Sequence, residues 1–349
     1  MEDRPVRRYL GLQVLRFVAA ALVVSYHATK IASEQLGGVP IWTKGGCGVN
    51  LFFVLSGFVI VWSSIKLFDA RDGWLIFAER RLVRVVPMYW IATTCKAIGI
   101  LVAGSMVVHA HLTPWTLVAS YLFIPARNLD NFFWPILGVG WTLNYEMFFY
   151  ALFTAALFLR FSVFRFVGIV LVLLSIGSFF TKPWWPWPSF YLNSIVLEFY
   201  FGMLIAKLCL GGKHLSASIA VPMMALGWVL LLLPTPLDRT NLLLSQGVPA
   251  AMIIWALASL EDFWPRIPSA IIFLAEASYA IYLFHLLGAQ LPAVWMAKHH
   301  MHHPWLAVVL SVLVSLSLGS IVHQFVERPI TNFFRDRLKV RHQRIIHAA

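Results

Sequence analysis

Arg16 and His27 lie in one apolar stretch, LGLQVLRFVAAALVVSYHATKIA (10–32). At about 100° per residue, their separation is three turns plus roughly 20°, so both side chains project from one helix face, about 16 Å apart along its axis. One face thus carries a fixed cation near one end and a titratable base near the other. A snorkelling arginine and a hydrogen-bonded histidine would account for either residue alone. Sharing a face within an apolar helix favours a joint chemical role.

Further polar groups recur inside apolar surroundings. GCGVNLFFVLSGFVIVW (46–62) places Asn50 about one turn inside the outer end of a second span, at the depth expected for His27, so an Asn–imidazole hydrogen bond is sterically reasonable. Gly46, Gly48, Ser56 and Gly57 allow that helix to lie close to its neighbours. FAERRLVRVVPMYW (77–90) sets Arg80, Arg81 and Arg84 at helical spacing, a topology signal that is also a site for phosphates. WTLNYEMFFY (141–150) contributes Trp141, Asn144 and Glu146, and a carboxylate within a span is expensive unless paired or used. Glu146 is the first candidate for orienting His27 or binding an acceptor, ahead of His285. SYAIYLFHLL (278–287) groups Ser278, Tyr282 and His285 within two turns on one side, and Glu198 and Glu276 are further acids inside apolar runs. Together these groups imply a hydrated polar cavity.

The elements that must position them are membrane helices. With 60% hydrophobic and 12% charged residues and mean hydropathy +0.77, a soluble protein of 349 residues is excluded. Apolar runs long enough to cross about 30 Å of hydrocarbon are expected at roughly 10–32, 46–68, 85–107, 138–159, 166–181, 189–210, 217–234, 242–260, 269–295 and 305–326. The expected fold is therefore all-α, a polytopic bundle of about ten transmembrane helices. Residues 1–330 form the membrane domain and 331–349 a basic cytoplasmic tail. The first segment is too long for a removable signal peptide and lacks a small-residue cleavage pattern, so it is expected to remain as an anchor.

Most of the 27 basic residues, including Arg4, Arg7, Arg8, Arg71, Arg80, Arg81, Arg84, Arg266, Arg335, Lys339, Arg341 and Arg344, fall on one side of these spans. Lys30, Lys44, Arg127, Lys182, Arg239 and Lys298 fall on the other. The positive-inside rule then puts both termini in the cytoplasm. Topology and anionic lipid explain the net charge of +12, so nucleic acid is not an expected partner. Cys47, Cys95 and Cys209 have neither disulfide nor metal spacing. TPWTLVASYLFIP (113–125) reads as an interfacial or re-entrant helix, and the Trp/Pro cluster KPWWPWPS (182–189) as part of an aromatic belt.

In order along the chain, the Arg16–His27 span, GVNLFFVLSGF, FAERRLVRVVPMYW, WTLNYEMFFY, SYAIYLFHLL and FVERPI (325–330) resemble the membrane-bound acyltransferase family 3. LQVLRFVAA with GWTLNYEMFFY looks most like its exopolysaccharide-production O-acetyltransferase branch. The resemblance implies a multi-pass protein of a bacterial inner membrane that moves an acyl group, usually acetyl from acetyl-CoA, onto a hydroxyl of an envelope glycan or its polyprenyl-linked precursor. It implies a catalytic role for His27 and a donor-side role for Arg16. One departure stands out: the family's glycine–valine–aspartate wording usually carries Asp where this chain has Asn50.

Acetyl-CoA is cytoplasmic and strongly anionic, so Arg80, Arg81 and Arg84 are the expected nucleotide contacts, with Arg16 along the path of the pantetheine arm. His27 would act as general base or as nucleophile. Asn50 or Tyr282 could serve the thioester oxygen, and Tyr282, His285 and Trp141 are candidates for the acceptor. A flippase or other transporter would also need intramembrane charge, but no matching pair of Gly/Pro-broken spans is visible. HHMHH (299–303) lacks a carboxylate or Cys to complete a closed site, so no metal is expected.

Overall fold

The computed structural model describes residues 9–103, 112–128, 131–182, 184–264 and 267–347, without the side chains of 239–240 and 339–347. Arg4, Arg7, Arg8 and Arg266, and the side chains of Arg239, Lys339, Arg341 and Arg344, lie outside the described residues. Among those described, the α-helices are α1 (Leu10–Leu36), α2 (Gly48–Ser64), α3 (Gly73–Ala103), α4 (Pro114–Tyr121), α5 (Gly140–Phe158) and α6 (Val163–Gly177). They continue with α7 (Leu197–Leu210), α8 (Ala217–Leu232), α9 (Leu237–Thr240), α10 (Val248–Ser259), α11 (Ser269–Lys298), α12 (Pro304–Val322) and α13 (Arg328–His347). No strand occurs among the described residues, so the all-α expectation holds.

Among the described residues six helical stretches are long and apolar enough to cross a membrane: Leu10–Leu36, Thr43–Leu67, Gly73–Val102, Val163–Phe180, Ser269–Lys298 and Pro304–Leu338. Ala217–Leu232 and Leu243–Ser259 are shorter apolar helices. The segment around 113–125 forms only the eight-residue α4, too short to cross. Its first turn is closed by Thr113, whose hydroxyl accepts the Thr116 amide at 3.1 Å. Helix α12 runs through one widened π turn, His323–Glu327, directly into α13.

α1 is fixed at both ends. Its first amides, Leu10 and Gly11, are donated to the carboxylate of Glu261, which satisfies orphan donors and complements the helix dipole. Gly37, at φ +68°, ends it in a backbone region that favours glycine. Between these ends α1 packs against α2, α11 and α12.

Glycines set the closest approaches. A Cβ on Gly57 of α2 would collide with the carbonyl oxygen of Phe199 on α7, and one on Gly202 of α7 with the carbonyl oxygen of Val54 on α2. A Cβ on Gly48 would collide with the carbonyl oxygen of Ala19 on α1. Helix α2 is therefore clamped between α1 and α7 by main-chain contact, the small-residue packing that membrane interiors favour. Gly46 has open space instead. On the other side of α1, α12 is tied to α11 by Ser311, which donates to the Ala289 carbonyl at 2.8 Å, and by Ser315, which donates to that of His285 at 3.2 Å.

Gly202→Val should therefore part α2 from α7. Overpacking of this kind costs about 1–3 kcal/mol or more, read as a lower unfolding temperature of the detergent-solubilised protein. Gly99→Ala on α3, where no atom lies within 4 Å of the added methyl, is the matched control and should not lower it. Equal melting of the two variants would refute the clamp.

Candidate active site

Two cavities follow the axis between α1, α2, α5 and α11. The smaller, about 190 Å³, is lined by Arg16, Arg81, Arg84, Glu146, Tyr150 and Tyr279 among others. Its charges are held by specific partners. Arg84 donates to Glu327 at 2.7 Å, and His323 Nδ1 lies 2.8 Å from the second oxygen of the same carboxylate. Arg81 donates to Ser63 at 2.6 Å and sits over the rings of Phe77 and Tyr150. Arg84 also lies over Tyr279, with its guanidinium carbon 5.3 Å from the ring centre. Glu146 accepts hydrogen bonds from Ser56, at 3.3 Å, and from Tyr150.

The larger cavity, about 960 Å³, contains His27, Asn50, Trp141 and Glu198 in its wall. The His27 ring centre lies 5.1 Å from that of His285. His285 is completely buried, and its Nδ1 donates to the Tyr282 carbonyl at 2.7 Å, which fixes the ring and leaves Nε2 as the lone-pair nitrogen of the neutral form. The carboxamides of Gln35, Asn128, Asn193, Asn241, Gln246 and Gln290 add neutral hydrogen-bonding groups to this wall.

Val49 and Tyr282 line both cavities, so the two meet at a waist. The Tyr282 hydroxyl lies 2.7 Å from the Thr142 hydroxyl, and Phe52 meets the Tyr282 ring edge-on at 5.4 Å. Along α1 the waist falls between Arg16 and His27, along α5 between Trp141 and Glu146, and along α11 just beyond Tyr279. Arg16 and His27 of α1 thus line different chambers, whereas the sequence implies a single polar cavity.

Several expected pairings are corrected. Glu146 does not sit in the His27 chamber: it lies more than one turn beyond Trp141 on α5, which carries it past the waist into the arginine cavity. The imidazole adjoining His27 belongs to His285. Asn50 donates its amide to Glu198 of α7 at 2.6 Å, although sequence placed it against His27. Arg80 is exposed, and only Arg81 and Arg84 of that cluster line the cavity. Glu327 was missed as a site residue, although it lies in the FVERPI motif; its contact with Arg84 spans 243 positions and left no local signal.

The acyltransferase domain model of the acyltransferase 3 family matches residues 9–323. The chain belongs to this family. It is an acyltransferase, and it is 32% identical to the exopolysaccharide production protein ExoZ of Rhizobium meliloti (strain 1021) over 85% of this chain and 92% of that protein. It is 26% identical to the acyltransferase MdmB of Streptomyces mycarofaciens, over 96% of this chain and 95% of that one. No solved structure matches. Among the described residues no group of three or more His, Cys, Asp or Glu is arranged to hold a metal ion.

At the edge of the histidine cavity Lys44 and Asp238 form an ion pair at 2.8 Å. Burial alone would raise the Asp238 carboxyl, but hydrogen bonds from Lys44 and from the Thr235 amide hold it below its usual range. A depressed carboxylate stabilises the fold above its unfolded-state pKa of about 3.9, and that stability is lost as pH falls through the folded value. Asp238→Asn should thus lower the melting temperature at pH 7 by the equivalent of under about 1 kcal/mol. The difference should shrink progressively as pH falls below about 3.9. A deficit that stays constant through that range would assign Asp238 a packing role only.

Proposed function

We propose that this enzyme moves an acetyl group from cytoplasmic acetyl-CoA to a hydroxyl of an exopolysaccharide or its polyprenyl-linked precursor, across a bacterial inner membrane. The observation that carries the reading is the pair of adjacent chambers that share Val49 and Tyr282 in their walls, with guanidinium groups in one and an imidazole in the other. The printed name of the Rhizobium relative supports an exopolysaccharide acceptor.

Ten spans complete the fold when α5, α7, α8 and the helix Leu243–Ser259 are added to the six long apolar stretches. The arginine chamber then opens toward the cytoplasm, both termini are cytoplasmic, and the end of α13 forms the basic tail on the inner surface. The 3′-phosphate and diphosphate of the donor rest on Arg81 and Arg84, whose orientations are preset by Ser63 and Glu327. The uncharged pantetheine arm passes Arg16 and the waist, a distance of the same order as its own length. Its thioester arrives beside His27.

As a base, His27 removes the proton of the sugar hydroxyl while its oxygen attacks the thioester carbonyl. The C–S bond then breaks, and the leaving thiolate takes the proton back from the imidazolium, giving the O-acetyl ester and free CoA. As a nucleophile, His27 takes the acetyl group first and passes it to the hydroxyl in a second step. Accumulation of labelled protein from radiolabelled acetyl-CoA without acceptor distinguishes the two. Tyr282 stands at the waist to meet the thioester oxygen, Trp141 offers an aromatic surface to the sugar, and His285 steadies the His27 ring.

His27→Ala should leave less than a tenth of wild-type transfer with protein still in the membrane; higher retention would sink the assignment. Arg81→Ala with Arg84→Ala should raise the acetyl-CoA KM about tenfold or more, as expected for lost charge-assisted hydrogen bonds, with a smaller fall in kcat. Exposed Arg80→Ala should change KM by less than about twofold on the same grounds. An unchanged KM in the double variant would return these arginines to topology alone.

A further inference from the structure

The carboxyl of Glu198 is fully buried inside the bundle, yet the residue lines the cavity that contains His27. Its Oε1 accepts the Asn50 amide at 2.6 Å, while Oε2 is sealed from solvent and makes no hydrogen bond. Helix α7 cannot retreat from α2, because Gly57 and Gly202 bring the two main chains into contact. The third side of the pair is the π turn Leu243–Gly247, where a Cβ on Gly247 would fall 2.9 Å from Glu198 Oε1. Three backbones therefore hold an acid against an amide.

This contact has a direction. One N–H of Asn50 Nδ2 is committed to α7, which leaves the second N–H and Oδ1 to the rest of the site. Building on the acetyl-transfer reading, we propose that Glu198 is a positioning residue. It locks the Asn50 carboxamide so that the wall beside His27 presents Oδ1 as an acceptor to a neighbouring hydroxyl of the incoming sugar. The sugar is then oriented with the proton of its reacting hydroxyl left free for His27.

The lock also dictates what residue 50 can be. An Asp there would face the Glu198 carboxyl at hydrogen-bond distance, and two carboxyls so placed must share one proton. As pH rises and both ionise, repulsion breaks the pair. An Asp at 50 therefore keeps the contact only while the pair retains its proton, whereas with an amide at 198 the contact no longer depends on that proton.

The test uses sealed membrane vesicles containing the full chain and their own glycan, supplied with radiolabelled acetyl-CoA, with base-labile label in glycan as the readout. Asn50→Asp should lose about tenfold or more of the rate at pH 8, the scale expected for a broken buried hydrogen bond, and recover toward pH 6. Adding Glu198→Gln should restore the pH 8 rate to within about threefold of wild type, because an amide again faces an acid. Glu198→Leu should lower kcat about tenfold or more, since the Asn50 amide loses its partner, with the acetyl-CoA KM held within twofold because the donor chamber is separate. His27, Lys30, Glu34, Lys96 and Asp238 are the other ionisable groups on this wall, and comparing variant with wild type at each pH removes their titration.

Wild-type behaviour of Asn50→Asp at pH 8, or failure of Glu198→Gln to rescue it at equal protein level, overturns the lock. If Asn50→Asp does not accumulate in the membrane, equal rates for Glu198→Gln and Glu198→Leu overturn it. Wild-type vesicles that transfer no acetyl would instead overturn the underlying acceptor reading.

Discussion

Where Gly57 meets Phe199 and Gly202 meets Val54, α2 and α7 touch through main chain, and Gly48 brings α2 equally close to α1. No side chain can be inserted there without moving a helix, so the relative heights of the three helices are fixed to a fraction of a turn. That constraint decides which side chains share a level. His27, Asn50 and Glu198 face one chamber because α1, α2 and α7 cannot slide past one another. Within a membrane the hydrophobic effect does not hold helices together, and such close packing supplies the order.

The two chambers separate incompatible chemistries. On the proposed reading a coenzyme A nucleotide needs fixed cations, and the arginine chamber contains Arg16, Arg81 and Arg84. These charges are affordable because Glu327, Glu146 and the rings of Tyr150 and Tyr279 surround them. The histidine chamber has the opposite character, with carboxamides and aromatic rings suited to a neutral sugar. Lys30 lies against Glu34 at 3.9 Å and Asp238 against Lys44, so most of its formal charge is balanced at the wall. A base in this chamber is not drowned by the guanidinium field needed for donor binding.

Much of this was legible in sequence because membrane helices are local objects: length, hydropathy and the 3.6-residue period suffice to find them and to place Arg16 and His27 on one face. The failures concern depth and distance. Glu146 was assigned to His27 because its span was known but not where the waist would cut it, and one turn of helix separates the two chambers. Asn50 was paired with His27 because both were placed at similar depth, whereas its true partner lies 148 positions away on α7. Arg80, Arg81 and Arg84 looked equivalent as a charge cluster. Helical period does not separate them, since Arg80 lies only about 40° from Arg84 around the helix; Arg80 is nonetheless exposed while Arg81 and Arg84 line the cavity, a difference set by what packs around α3.

The waist explains why the separation can be maintained during a reaction. Its wall combines Val49 and Phe52 with the Tyr282 ring, whose hydroxyl lies 2.7 Å from that of Thr142. Carrying a phosphate through such a constriction would strip its water with nothing to replace it, a desolvation penalty of several kcal/mol per charge at least. A pantetheine arm carries only amides and methylenes, so the same passage admits it at far lower cost. On the proposed reading such a filter needs no moving gate: a charged nucleotide would stay with the arginines, and only the thioester end would reach the imidazole. Transfer across the bundle would then follow from which part of one donor molecule tolerates an apolar neck.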